Sequence, residues 1–377
     1  MCAFFAAILT THNRFVLAED FEMNLPEIAE TQVTIVVVPR ERFSYTSESL
    51  ESIYEHTQYP FKLIYVDGGS PSHIRDYLVD KATEKQFQLI RTEHYLSPNI
   101  ARNLGLRQVT SKYVVFIDND VVVTPGWLKA LVECAEETGA CVVSPLICQY
   151  QPLHTEVHCA GGESGVRVET KGETRKRRII EKIYKQGRQV ADVRPQLQRQ
   201  QTGLAEFHCM MVRTEIFEKI GFLDEALLNT KEHVDLCMLV SEAGGEIYLE
   251  PESLVTYVPG PPLEWTDLHY YMLRWSDAWE LASLKRLRDK WNLTEDEYFK
   301  NKYKRLGWRR DMTIVSPITR KAPFGKIGSR VAGKILRYMD KALNQYLTTR
   351  YARRHLQKMQ IPSTQLVKSA MTATSQS

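Results

Sequence analysis

The chain has 377 residues, 43% of them apolar, and a net charge of +3 from 49 Lys and Arg against 46 Asp and Glu. It is long enough to bury a sizeable core in one large domain or two ordinary ones, with the composition of a soluble globular protein. Its seven cysteines stand singly, without CxxC pairs or regular spacing, which indicates neither a zinc site nor a disulfide framework and points to a reducing compartment.

Residues 1–31 read as a peripheral extension. Their opening run, MCAFFAAILTTHNR, has no basic residue ahead of its apolar stretch, which argues against a standard secretory signal. No stretch is long enough to span a bilayer, so a cytoplasmic protein is expected. The first strand is TIVVV, ending at Pro39. A helix follows over 47–56, with Leu50, Ile53 and Tyr54 at helical spacing, and FKLIYVD is a second strand ending at Asp67. DGGSPS makes a turn in which Ser70 or Ser72 can cap a helix running to Lys85. FQLIR is a third strand and PNIARNLGLRQV a third helix.

The next element is KYVVFIDNDVVVTPGWL, where the apolar run Tyr113 to Ile117 stops at Asp118-Asn119-Asp120. A short β-branched and aromatic run of this kind reads as a strand buried on both faces. Unpaired carboxylates are too costly for an apolar core, so both acids belong at the carboxyl edge of a central strand, where open α/β sheets bind ligands. Two hard oxygen donors at this spacing suit Mg²⁺ or Mn²⁺ on a diphosphate. The same residues also suit a plain turn that caps the helix after Pro125, because turns favour Asp and Asn.

The β-α-β-α-β-α-β alternation predicts an α/β fold, a mostly parallel sheet with helices on both faces. Beyond it, 127–138 is a helix ended by Gly139 and CVVSPLI a strand. The charged stretch between Gly161 and Gly203 is too long for an ordinary connection and reads either as a mobile excursion over the binding edge or as a solvated helix. AEFHCMMVR is then a strand, TEIFEKIGFLDEALL a short helix and turn, and KEHVDLCMLVSEAGG a helix stopped by its glycine pair. EIYLEPESLVTYV reads as a strand pair and 268–291 as a helical closing region.

Over roughly residues 31–258 four blocks, in order, resemble family-2 glycosyltransferases of the GT-A fold. They are the opening strand with IYVDGGS, then NIARNLGL, then FIDNDVVV, then GFLDEALLNTKEHVDLCMLVSEAGG. The resemblance implies a Rossmann-like GT-A sheet with a C-terminal helical extension. It also implies an inverting transferase that moves a sugar from a nucleotide-diphosphate donor onto a hydroxyl of a glycan, glycolipid or other acceptor. Pro39, Arg40, Asp67, Arg102, Asp118 and Asn119 would then contact the nucleotide sugar. Asp120, helped by Asp118, would hold the metal. Glu232 would be the general base. The family's second acid at that point is replaced here by His233, and Asp235 shares the Glu232 face of the helix, so all three are candidates for the catalytic group. A second departure is Tyr257 where relatives often place a metal-binding histidine. Two other readings stay open: a nucleotidyltransferase on sugar phosphates, for which PRERFSY lacks the glycine-rich triphosphate loop, and a lapsed enzyme that binds nucleotide sugars or scaffolds a membrane.

The implied organisation is an extension over 1–31 and a GT-A domain over 32–300, followed by a basic helical tail over 301–360 and a disordered end over 361–377. Within the domain, 32–150 would bind the nucleotide sugar, 151–265 the acceptor, and 266–300 would close the body. The tail carries 16 Lys and Arg against only Asp311 and Asp340. Its Ile327, Val331, Ile335, Met339, Leu343, Leu347 and Tyr351 recur every four residues, widened by Leu336 and Tyr346. Such a helix suits an anionic membrane interface, and equally suits packing of its stripe on the enzyme body. Nucleic acid is not an expected partner, since no binding module accompanies the charge.

Overall fold

The computed structural model describes residues 31–260, 263–321 and 325–359. The expected N-terminal extension up to residue 30 and the expected disorder of 361–377 lie outside the described residues. The first half alternates as the periodicity predicts: β1 (Val33–Val38), α1 (Thr46–His56), β2 (Lys62–Gly68), α2 (Ser72–Lys85), β3 (Gln88–Thr92), α3 (Pro98–Leu106) and β4 (Tyr113–Asp118). After the Asn119-Asp120 turn come β5 (Val121–Val123), α4 (Trp127–Thr138), β6 (Val142–Gln149), β7 (Glu156–Cys159), β8 (Gly162–Lys171) and β9 (Thr174–Ile183). The short α5 (Val190–Val193) leads to β10 (Gln200–Thr202), β11 (Cys209–Arg213), α6 (Ile216–Ile220), α7 (Glu232–Glu242) and β12 (Ile247–Tyr257). The predicted closing helix is two helices, α8 (Trp265–Arg274) and α9 (Asp277–Lys290), because Ser276 caps the second by accepting from the Trp279 N–H. The chain then runs through α10 (Glu297–Lys304), α11 (Trp308–Arg310), a π-helical turn, α12 (Ser316–Arg320) and the long α13 (Gly325–Met359).

The main sheet has the order β10-β12-β6-β11-β4-β1-β2-β3, with β5 added to β12 and β7 to β6. Strands β12, β6, β4, β1, β2 and β3 all run one way, and β11 is inserted antiparallel between β4 and β6. Val33–Val38 and Tyr113–Asp118 are buried along their whole length, as strands covered on both faces must be. Gly105 lets α3 lie close on this sheet, since a Cβ there would collide with Val36.

Three local expectations are corrected. EIYLEPESLVTYV is one long strand, β12, with a bulge between Glu250 and Leu254, and not a pair. Neither Ser70 nor Ser72 caps α2: Ser70 turns back to Asp67 instead. The charged run after Gly161 is not a solvated helix: it forms the antiparallel hairpin β8-β9, whose Glu181 and Ile183 stand at the binding edge. Val166 pairs with Ile179 and both pack on the Leu204, Leu227 and Leu284 cluster, so enough apolar side chains alternate with the charges to seat the hairpin.

Candidate active site

The parallel strands and the reversed β11 bring the chemistry to one edge. Asp67 and Asp118 end β2 and β4, Arg40 follows β1 by two residues, and Gln149 and Tyr257 end β6 and β12. Because β11 and β7 run the other way, Glu206 and His208 enter and His158 lies at this same edge. A cavity of about 390 Å³ opens there. Arg40, Arg102, Lys231, Arg274, Lys302 and Arg309 line it, together with Glu181, Glu206 and Glu232, the histidines 158, 208 and 233, and Trp275.

The two acids of the Asp-Asn-Asp turn have opposite surroundings. Asp118 is fully buried and paired on both oxygens: Arg40 Nη1 donates to Oδ2 at 3.1 Å and Arg102 Nη2 to Oδ1 at 3.0 Å, while His208 Nδ1 stands 3.2 Å from Oδ2. The expected metal role for Asp118 does not fit this, since its lone pairs already hold two guanidinium groups. Removing a partner from a buried ion cluster costs about 3 to 5 kcal/mol, so Asp118 is a strut of the site. Asn119 is likewise occupied. Its Oδ1 accepts from the Arg40 N–H, and its Nδ2 donates to the Arg42 carbonyl and Thr46 Oγ1, fixing the loop after β1. Asp120 is as deeply buried, yet neither carboxylate oxygen has a hydrogen-bond partner. Burial first, and then the Glu41 carboxylate, push its acid well above the usual carboxylate range. An orphaned, desolvated carboxylate is what a divalent cation stabilises, and of the pair Asp120 alone fits one.

Pro39 and Arg40 are held from the far side of the chain. The Tyr270 hydroxyl donates to the Pro39 carbonyl at 3.2 Å, and Arg274 Nε donates to the Arg40 carbonyl at 2.9 Å. Asp67 accepts from the Ser70 N–H at 2.9 Å and is ion-paired with Arg91. The Asp67 carboxylate thus closes its own turn, held by Ser70 and Arg91. Arg102 stacks over Phe207 at 3.9 Å while it holds Asp118, so its guanidinium is aimed at the cavity wall.

Around the start of α7 the three candidate bases separate. Glu232 lines the cavity, its Oε1 3.6 Å from Arg274 Nη2. His233 also lines it, with a buried Nε2 that has no hydrogen-bond partner, 3.8 Å from Glu206 and 3.9 Å from Glu181. Asp235 is not among the lining residues. Lys290 Nζ and Trp291 Nε1 donate to its oxygens at 2.7 and 2.8 Å, tying α7 to α9. The expected pairing of Glu232 with Asp235 is thus corrected: three residues on a helix share a face only roughly, and Asp235 is spent on packing.

Sequence reading missed Glu181, Lys231, Lys302 and the histidines 158 and 208. Lys231 adopts a left-handed conformation just before α7 and places its buried ammonium 2.6 Å from Glu181 of the hairpin. Burial alone would raise the Glu181 acid, but Lys231, His233 and Lys302 hold it down at about 2. The Lys231 charge first, and then burial, lower Lys302 to about 8. Burial first, and then the Arg40 charge, hold the His208 imidazole well below its ordinary value and therefore neutral.

Residues 34–221 match the profile of glycosyl transferase family 2. Among curated relatives, the pre-mycofactocin glycosyltransferase of Mycobacterium tuberculosis (strain CDC 1551 / Oshkosh) is 26% identical over 227 residues, 60% of this chain and 42% of that protein. An uncharacterized glycosyltransferase of Rickettsia bellii (strain RML369-C) is 27% identical over 93 residues, 25% of this chain and 13% of that protein. The chain spans less than half the length of these relatives. Among solved structures, GalNAc-T7 with UDP, GalNAc and Mn²⁺ shares 15% identity and a TM-score of 0.46 over 78% of this chain and 58% of that one. The chain is a member of glycosyl transferase family 2, matched over residues 34–221.

Proposed function

We propose that the chain moves a sugar from a nucleotide-diphosphate donor onto a hydroxyl acceptor, with inversion at the anomeric carbon. The observation that carries this reading is the cavity at the sheet's carboxyl edge, where a ring of Arg and Lys side chains surrounds the buried carboxylate of Glu232. Guanidinium and ammonium groups in a partly desolvated cleft suit a diphosphate in the ground state and suit it more as charge develops on the leaving oxygen. Asp120 would hold a divalent cation, Mg²⁺ or Mn²⁺, which when bound supplies further neutralisation of that charge. Glu232 takes the proton of the acceptor hydroxyl as the acceptor oxygen bonds to the anomeric carbon. On the opposite face the bond to the diphosphate oxygen breaks, with both electrons leaving on the nucleoside diphosphate. Arg274, with its Nη2 3.6 Å from Glu232 Oε1, orients the base.

Isothermal titration of the full chain with UDP, GDP and dTDP tests the donor half of the reading. One nucleotide should bind, and its affinity should fall as pH rises through about 8, where Lys302 loses its proton. Lys302→Met should bind more weakly at pH 7 and show a flatter pH profile. Absence of binding by all three nucleotides would count against the reading.

We further propose that α13 rests on an anionic membrane surface. The observation that favours this is which face of α13 the body uses. Asp340 pairs with Arg310, Asn344 Nδ2 donates to the Met272 carbonyl, and Tyr351 donates to the Tyr95 carbonyl, so a largely polar face is turned inward. Val331, Ile335, Met339, Leu343 and Tyr346 are left more than half exposed or nearly so, flanked by exposed Arg330, Lys334 and Lys341. Only the far end of the stripe meets the body, where Tyr351 packs on Trp279. Flotation with vesicles containing phosphatidylserine should recover the chain at low salt and lose it at high salt, because screening shortens the reach of surface charge. Flotation that is indifferent to acidic lipid would refute membrane docking. No described helix is long and apolar enough to cross a membrane.

A further inference from the structure

Beside the proposed donor site the cavity wall carries a cluster that glycosyl transfer as described above does not use. His158 Nε2 is 2.8 Å from Glu206 Oε2, and His208 Nε2 is 3.4 Å from the same oxygen. All three residues are buried, and their donor atoms lie within 4.8 Å of one another. Two ligands each about 2.1 Å from a common ion stand roughly 3.0 to 3.4 Å apart at right or tetrahedral angles; the His208 separation matches this, and the His158 contact, at hydrogen-bond length, needs to open by only a few tenths of an ångström to admit an ion.

The outer face of the His158 ring is prepared for that role. Gln149 donates through Nε2 to Glu156 Oε1 at 2.7 Å, which turns its Oε1 toward His158 Nδ1 at 2.9 Å. An amide oxygen only accepts, so the His158 proton sits on Nδ1 and the Nε2 lone pair faces Glu206. A lone pair and a carboxylate oxygen at 2.8 Å require a cation between them, either a proton or a metal. A carboxylate or amide oxygen behind the distal nitrogen is the usual support of a metal-binding imidazole. His208 lacks such a support: its Nδ1 lies 3.2 Å from Asp118 Oδ2 without forming a hydrogen bond, while its Nε2 is turned to Glu206. On the cavity side, His233 offers a buried Nε2 without a hydrogen-bond partner, 3.8 Å from Glu206 Oε1.

We propose that His158, Glu206 and His208, with His233 as a fourth donor, bind a divalent first-row transition-metal ion at a site separate from the Asp120 carboxylate. Two or three imidazoles with one carboxylate select Zn²⁺, Co²⁺ or Fe²⁺ over Mg²⁺, which prefers oxygen and water. The substitution of His233 for the family's acid then has a use other than proton transfer.

Co²⁺ is the probe, added to chelator-treated full chain without nucleotide. One equivalent should bind and give visible d–d absorption that a thousandfold excess of Mg²⁺ does not bleach. His158→Gln or Glu206→Gln should weaken binding by a hundredfold or more and His233→Ala by about ten- to a hundredfold. Gln149→Leu, which only supports His158, should cost about ten- to a hundredfold, and Asp120→Asn should leave the absorption unchanged. If the substitutions disturb folding, X-ray absorption on Zn²⁺-loaded wild type decides directly: a shell with two or three imidazole nitrogens is expected. A shell of oxygens alone, loss of the Co²⁺ absorption in Asp120→Asn, or no retained ion in the wild type would overturn the assignment.

Discussion

Asp120→Asn is expected to lower transfer by about a hundredfold or more, the scale of losing a few kcal/mol of charge stabilisation at the leaving group, while leaving the metal-free protein as stable as before or more so. The two halves of this result have one cause. Both Asp120 oxygens are buried without partners, and burial followed by the Glu41 charge raises its acid well above the usual range. A carboxyl whose folded pKa is raised binds its proton more tightly in the folded state. Its ionisation therefore costs stability progressively as pH rises from the unfolded value through the folded one. At neutral pH the wild type bears that cost and the Asn variant does not, so the Tm advantage of the variant should grow between pH 4 and pH 8. Asp118→Asn is the contrast, for it abandons two buried arginines and should lower Tm. Full transfer by Asp120→Asn would remove Asp120 from the mechanism.

Glu232→Gln is expected to reduce kcat by about a hundredfold or more with little change in donor affinity, since the amide keeps the shape of the side chain and loses only its ability to take a proton. Asp235→Asn should behave differently. Its carboxylate holds Lys290 and Trp291, so the loss should appear in Tm and not selectively in kcat. Measuring kcat, donor KM and Tm for both variants separates base from strut. Wild-type kcat in Glu232→Gln would transfer the role to His233.

Where function could be read in the sequence, a single segment carried both cause and consequence. The buried run Tyr113–Ile117 broken by acids located the binding edge without reference to any other element, and the β-α alternation did the same for the first seven elements. What could not be read was pairing across distance. Nothing in FIDNDVVV tells that Arg40, Arg102 and His208, from three other segments, converge on Asp118 and leave Asp120 alone. The histidine cluster was hidden for the same reason, since His158 and Glu206 meet only because β7 and β11 run against their neighbours. One signal was present: Glu206 and His208 stand two apart just ahead of the apolar run that becomes β11. The hairpin β8-β9 was misread because charge dominated its composition while its alternation was carried by few apolar residues, Val166, Val168 and Ile179 among them. In α13 the apolar period was legible. Which face the body would take was not, because Asp340 and Asn344 are claimed by Arg310 and by a backbone carbonyl that no helical pattern announces.

The reaction proposed for the cationic cavity breaks a nucleotide-diphosphate sugar between the anomeric carbon and the diphosphate oxygen. Incubation of the full chain with UDP-, GDP- and dTDP-sugars, Mn²⁺ and a mixture of simple glycosides, followed by phosphorus NMR, reads that bond directly. Nucleoside diphosphate should be released from at least one donor, and about a hundredfold or more slowly by Asp120→Asn and Glu232→Gln. Release of pyrophosphate or nucleoside monophosphate, or donors left whole while nucleotide binds, would contradict it.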